Sequence, residues 1–293
     1  MEIIVSLGKF DNLEKINKSV CEGLLYGGKF SLNFNYDNDQ IQAISAYLAK
    51  RGLKSYIVMD AFIKEDQRVD LYDYLEFLKS LNPDGIYFTD LGVISAAKAV
   101  GIADKLIYDG GPLMTNALDA SFYLEQGFGV VLARELCLDE IMALVKKLPY
   151  KLDMQVFGHL KMSYSKRKFL TNYFKEINKD INITGDKDIR LIEENREYAL
   201  PIIEDRYGTR IYTDYVLLMY EELAYLRDYL KRLIVDDIFL EDTGIIYDVC
   251  RDIHHLNREN YSFLRDSLIS KYADVNFSSG YLYQKTSKVK EDE

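Results

Sequence analysis

Short apolar runs rich in β-branched and aromatic residues recur along the chain, and most are followed by a longer stretch whose apolar positions return every three or four residues. The runs are IIVS from Ile3, LLYG from Leu24, SYIVMD from Ser55, GIYFTD from Gly85, LIYDG from Leu106, GVVLAR from Gly129, DMQVFG from Asp153 and RLIVDD from Arg232. Helical spacing is expected over Asn12 to Glu22, Asn38 to Arg51, Leu71 to Ser80, Leu91 to Val100, Asn116 to Gln126, Leu138 to Lys147, Asp214 to Tyr229 and Thr243 to Asn257. Asp214 and Thr243 are suited to capping helix N-termini, and Gly52, Gly101 and Gly127 to left-handed C-terminal turns. Eight strand–helix units within about 250 residues have the size and count of an α/β protein of the (β/α)8 class, a TIM-like barrel; an open doubly wound sheet is the alternative.

On this register the connection after the seventh strand, residues 158–213, is far longer than the about 2–6 residues usual in α/β units. It opens with a basic stretch and ends in ALPIIEDRYGTRIYT, where two extended runs flank a turn and predict a β-hairpin. The expected organisation is a barrel over residues 1–257, with 158–213 inserted as a basic loop plus hairpin. Residues 258–293 then supply a helix from Arg258 to Ile269 and a charged tail, KTSKVKEDE, expected to be disordered. A loop after a barrel strand leaves from the C-terminal face, where barrel enzymes carry their sites.

Hydrophobic residues make up 48% of the 293 and charged ones 29%, ordinary values for a globular protein. No apolar run approaches the about 18 residues of a membrane span, and the acidic, weakly apolar N-terminus does not read as a secretory signal; a cytoplasmic protein without membrane contact is expected. Cys21, Cys137 and Cys250 form no CxxC pair, which argues against a disulfide framework or a local metal knot. His254 and His255 are adjacent on a helical pattern and point two ways, and with His159 they make no zinc set.

The formal net charge is -10, yet QVFGHLKMSYSKRKFLTNYF, residues 155–174, carries Lys161, Lys166, Arg167 and Lys168 with Lys175 just beyond and no acid. Such a segment in an acidic chain suggests a face for an anionic partner; a solvated loop is the alternative. Tyr164 and Tyr173, interleaved with these cations, can stack on bases of unpaired RNA, or simply pack the loop onto the barrel. Several strands also end in charge: Asp60, Asp90, Asp109, Arg134 with Glu135, and Asp236 with Asp237. In a barrel they converge on one mouth, where Arg134 can grip a carboxylate or phosphate with two prongs, although any single Asp equally serves as a helix cap. GxSxG and HExxH are absent, and YDGGPLMTN lacks the spacing of a dinucleotide loop.

GKFDNLEKINKSVCEGLLYGGKFSLN, TNALDASFYLEQGFGVVLARELCLDEI and LPIIEDRYGTRIYT together carry a resemblance along nearly the whole chain. The chain resembles the U-32 peptidase family, collagenase-like proteins that also include tRNA uridine hydroxylases and anaerobic ubiquinone hydroxylation proteins. The family signature is an acid, then VHG, a Cys, a SYSG-like turn and a second Cys. Here Asp153 stands at the acid, Phe157 at the His, Gly158 at the Gly, Lys161 at the first Cys, Ser163, Tyr164 and Ser165 at the turn, and Lys168 at the second Cys.

A further cysteine pair belongs before the hairpin, yet residues 178–199 hold none. Related hydroxylases place a 4Fe-4S cluster on those four thiolates; lysines cannot replace such soft ligands, so no cluster is expected on this chain. The resemblance implies a cluster-free subunit assisting tRNA wobble-uridine hydroxylation, partnered by a longer cysteine-bearing paralogue and in contact with tRNA. It also leaves open a collagenase-like peptidase, a hydrolase for which Glu135, Asp153 and Glu204 are the candidate catalytic carboxylates. A third reading is a non-catalytic barrel holding a small carboxylate metabolite on Arg134.

Overall fold

The computed structural model describes residues 1–6, 16–179, 181–194 and 198–284. Seven strands open the chain: β1 (Glu2–Ser6), β2 (Gly23–Tyr26), β3 (Lys54–Met59), β4 (Gly85–Phe88), β5 (Leu106–Tyr108), β6 (Gly129–Val131) and β7 (Leu152–Ser165). Each of the first six pairs in parallel with its successor. Next come β8 (Arg190–Leu191), β9 (Leu200–Asp205) and β10 (Gly208–Leu218), where β8 pairs antiparallel with β9, β9 with β10 and β10 with β7. Then β11 (Arg232–Asp236) lies parallel to β7 on one side and to β1 on the other. That double pairing closes a ring of eight parallel strands, the TIM-like barrel expected from the apolar runs, and all eight runs are barrel strands.

Helices fill the crossovers: α1 (Asn38–Arg51), α2 (Arg68–Leu81), α3 (Gly92–Val100), α4 (Ala117–Glu125) and α5 (Leu138–Lys147). The start of α1 is fixed by a reciprocal cap, in which the Asp37 carboxylate accepts from the Gln40 amide at 2.8 Å and the Gln40 side chain accepts from the Asp37 amide at 2.9 Å. Its end is fixed by Gly52 at φ 64°. Asn116 caps α4 by accepting from the amides of Leu118 and Asp119. After β7 come α6 (Phe169–Glu176) and α7 (Tyr220–Leu226), then α8 (Gly244–His255) and α9 (Tyr261–Lys271); β12 (Phe277–Ser278) finally pairs with β10.

Because alternate strand residues face opposite sides, half of each barrel strand points inward. Ile4, Leu25, Tyr56, Tyr87, Ile107, Val131 and Ile234, one from each of seven strands, form an apolar layer distinct from the larger core between strands and helices. Below it, at the strand starts, lies a polar floor. Arg232 Nη1 and the Tyr87 hydroxyl donate to the same Asp153 oxygen at 2.7 and 2.8 Å, and Lys54 pairs with Glu2. Above the layer, at the C-terminal ends, Ser6, Asp60, Asp109, Arg134, Gln155 and Asp236 line the mouth.

Three expectations are corrected. The basic stretch is not a loop throughout: β7 continues as strand to Ser165, leaving the barrel near Gly158 and pairing antiparallel with β10. The helix expected from Asp214 begins only at Tyr220, because residues 214–218 extend β10. Asp214 therefore lies within β10 and not at a helix start, and Thr243 precedes α8 without a side-chain capping bond. The helix expected from Asn12 falls partly outside the described residues, and residues 16–22 form a turn; the charged tail also lies outside them.

Candidate functional site

The chain places charges at the mouth because β3, β5, β6, β7 and β11 each run on from an apolar stretch into a polar inward residue. Arg134 Nη1 and Nη2 donate to the two Asp109 oxygens at 3.0 and 2.6 Å, and Nε donates to Gln155 Oε1 at 2.9 Å. Burial pushes the Asp109 carboxyl up, but Arg134 and Lys161 outweigh it and hold the group down to about 2. Lys161 Nζ donates to Asp60 Oδ2 at 3.0 Å, while Asp60 Oδ1 accepts from the Leu32 amide at 2.8 Å. Asp236 accepts from the Ile238 amide at 2.9 Å and has no ion-pair partner among the described residues. Burial lifts its pKa despite nearby Arg134. Three carboxylates thus face two cations, and Asp236 is the acid best placed to hold a proton there.

An arm built from the outer half of β7 with β8, β9 and β10 crosses this mouth and is fastened to the loops after β2 and β3. The Phe30 amide donates to the Tyr207 hydroxyl at 2.7 Å, and the Tyr212 hydroxyl donates to Asn33 at 2.8 Å. Phe62 and Tyr164 stack with centroids 5.2 Å apart. Gly158 permits the crossing: its φ is 109°, and a Cβ there would run into the Asp236 carbonyl oxygen. The enclosed space is about 70 Å³, far below the roughly 300–1,000 Å³ of ordinary small-molecule sites.

The sequence-predicted residues divide sharply. Arg134 and Lys161 line the mouth, each already engaged by a carboxylate. Glu135, Asp153 and Glu204 do not line it. Glu135 is exposed, and Asp153 lies in the floor, across the apolar layer from the mouth. Buried Glu204 accepts from the amides of Leu170 and Thr171 at 2.8 and 3.1 Å and from the hydroxyls of Thr171 and Thr209, anchoring the start of α6.

Lys166, Arg167 and Lys168 are exposed on the turn between β7 and α6. Tyr164 is half-buried, its hydroxyl donating to the Tyr207 carbonyl at 3.1 Å, and Tyr173 is exposed on α6. Asn33, Gln155, His159 and Tyr212 also line the mouth; of these the sequence drew attention to His159 alone, and only to set it aside as a zinc ligand. Gln155 was reachable from strand alternation with Asp153. Asn33 and Tyr212 meet only because the arm folds back, and no local pattern marks them.

The donors at the mouth are amine, guanidinium, carboxylate, amide, phenol and one imidazole. Cys21 and Cys250 are buried elsewhere, and Cys137 sits at the start of α5. The residues present therefore do not fit an iron–sulfur cluster, which wants thiolates. Among the described residues no three His, Cys, Asp or Glu side chains are grouped to hold a metal ion, and no helix is long and apolar enough to cross a membrane.

Fold and site together define a (β/α)8 barrel whose charged mouth is bridged by an antiparallel arm from its seventh strand. The chain belongs to peptidase family U32, whose family model matches residues 25–235. It is 25% identical over 279 residues to tRNA hydroxylation protein P2 of Bacillus subtilis, covering 90% of this chain and 88% of that protein. Identity to tRNA hydroxylation protein P1 of the same organism is 28% over 170 residues, 55% of this chain and 40% of P1. An uncharacterized protease of Methanocaldococcus jannaschii is 26% identical over 144 residues, 47% of this chain and 35% of that one. The solved structure of the U32 peptidase Mk0906 has a TM-score of 0.49 at 13% identity, covering 80% of this chain and 92% of its own.

Proposed function

We propose that this protein is a cluster-free subunit that assists hydroxylation of tRNA wobble uridine, with the redox chemistry carried by a longer, cysteine-bearing paralogue. The observation that carries this reading is the state of Lys161. Where the resemblance implies a thiolate ligand, an ammonium group stands in the mouth, held by Asp60 at 3.0 Å. A cation so placed neutralises a carboxylate and ties the arm to the barrel; it cannot hold iron. Similarity to tRNA hydroxylation protein P2 along most of both chains supports the pathway. A small carboxylate ligand is less well supported, since Asp109 already takes both terminal nitrogens of Arg134. A peptidase has the family's name behind it but less support from the site, since none of its three candidate carboxylates lines the mouth.

The test is deletion in the native host followed by mass spectrometry of tRNA nucleosides. Loss of wobble hydroxylation, restored by the wild-type gene, with the paralogue copurifying on a tagged copy, is the expected result. Hydroxylation at wild-type level in the deletion strain overturns the reading.

A further inference from the structure

A second concavity lies beside the mouth, where the β9–β10 hairpin tip meets the loops after β2 and β3. It encloses about 210 Å³, three times the mouth cavity, and Lys29, Lys64, Lys166 and Arg206 stand around it with Phe62 and Tyr207 as apolar walls. The four cations come from four separate segments, so no run of basic sequence accounts for their meeting. Against them stands one carboxylate, Asp70, already paired with Lys29 at 3.0 Å. Lys64 and Arg206 are exposed, and among the described residues neither they nor Lys166 pairs with a carboxylate.

Two of the cationic heads are steered. Lys166 Nζ donates to the Ile63 carbonyl at 3.2 Å, and the Arg206 guanidinium lies 4.8 Å from the centre of the Tyr207 ring. In a chain of net charge -10, three uncompensated cations around one cleft make a local positive field that attracts an anion.

We propose that this cleft is a binding site for a phosphodiester of single-stranded RNA. Phosphate matches the point charges of Lys64 and Lys166 and the planar donors of Arg206, and the exposed Phe62 ring offers a face on which an attached base can stack. The next cations along the same turn, Arg167 and Lys168, are exposed and can meet the neighbouring phosphate of a strand but have no role for a free mononucleotide. Only the identity of the RNA as tRNA rests on the function proposed above; binding of a single strand in this cleft does not.

The experiment measures fluorescence anisotropy of a short, unstructured, labelled RNA with the full chain across a salt series. Lys64→Ala with Arg206→Ala removes two cleft charges, and Lys175→Ala with Lys179→Ala removes two exposed charges outside the cleft. The cleft variant is expected to bind about tenfold more weakly, with the slope of log affinity against log salt flatter by roughly 1.4, since each single-strand phosphate contact contributes about 0.7. The outside variant is expected to change little.

Equal losses in the two variants, or none in the cleft variant, overturn the proposal. So does full displacement of the RNA by an equal concentration of uridine monophosphate, which assigns the cleft to a free nucleotide. Complementation separates this proposal from the functional one. A cleft variant with unchanged RNA affinity that restores hydroxylation sinks the cleft and leaves the function standing. Undiminished hydroxylation in the deletion strain sinks the function and leaves the binding comparison to decide the cleft.

Discussion

Asp109 and Arg134 share two hydrogen bonds in a largely buried mouth, so removing either one leaves the other's charge without its main partner. Asp109→Asn is expected to lower unfolding stability by about 3–5 kcal/mol in urea titration, the usual cost of breaking a buried pair, and Arg134→Met added to it should recover part of that loss. With Arg134→Met measured alone to complete the cycle, a double-variant loss equal to the sum of the two single losses would show that the pair is not coupled. Glu204 is also structural in its surroundings. Glu204→Gln is expected to cost about 1.5–3 kcal/mol through weakened charge-assisted bonds, seen as faster hydrogen exchange at the Leu170 and Thr171 amides while the floor around Asp153 keeps its protection. Arg134 and Asp109 were recognisable in sequence as strand-end charges. Their partnership was not, because which strand ends face each other depends on the closed ring.

At the scale of elements, apolar runs located every barrel strand, since a strand buried on both faces writes itself as a short continuous hydrophobic stretch. The outer half of β7 was less legible. Lys161, Lys166 and Arg167 suggested a loop, while the alternation of Leu160, Met162 and Tyr164 already carried the period of a strand. YVLLMYEELAYL, from Tyr215, misled for the opposite reason: it satisfies both periods, and only pairing of Val216 and Leu217 with β7 and β12 makes its first part strand. Gly158→Ala tests the crossing. The positive φ and the approach of the Asp236 carbonyl predict a loss of about 2 kcal/mol or more, read as a lower thermal midpoint, whereas Gly111→Ala, with nothing near its Cβ, should cost only about 1 kcal/mol for its φ.

For the whole molecule, the mouth sets a response to acid. Asp109 falls from its ordinary 3.8 to about 2 in the folded protein, so the unfolded chain takes up its proton first as pH falls. Stability contributed at neutral pH, about 2–3 kcal/mol at about 1.4 kcal/mol per pH unit, is therefore lost progressively between about pH 4 and pH 2. Asp236 acts with the opposite sign: its raised pKa makes the folded state the better proton acceptor, so its protonation adds stability on acidification. Urea midpoints against pH should show a shallower acid limb for Asp109→Asn and a lost early rise for Asp236→Asn; parallel curves for all three proteins would refute the assignment.

The ring is sealed by β11, which pairs residue 2 with residue 232 and residue 153 with that same residue 232. During synthesis, β1 and β7 must wait with bare edges until nearly the whole barrel sequence has been made, and an unpaired parallel edge is a template for another chain. Closure across so long a separation is expected to be the slow step of folding. A chain stopped after Tyr229 keeps seven strands, the mouth charges on β5 and β6 and the entire arm, yet it is an open sheet. It should accumulate as aggregate, and a peptide spanning β11 supplied in trans should return part of it to the soluble fraction.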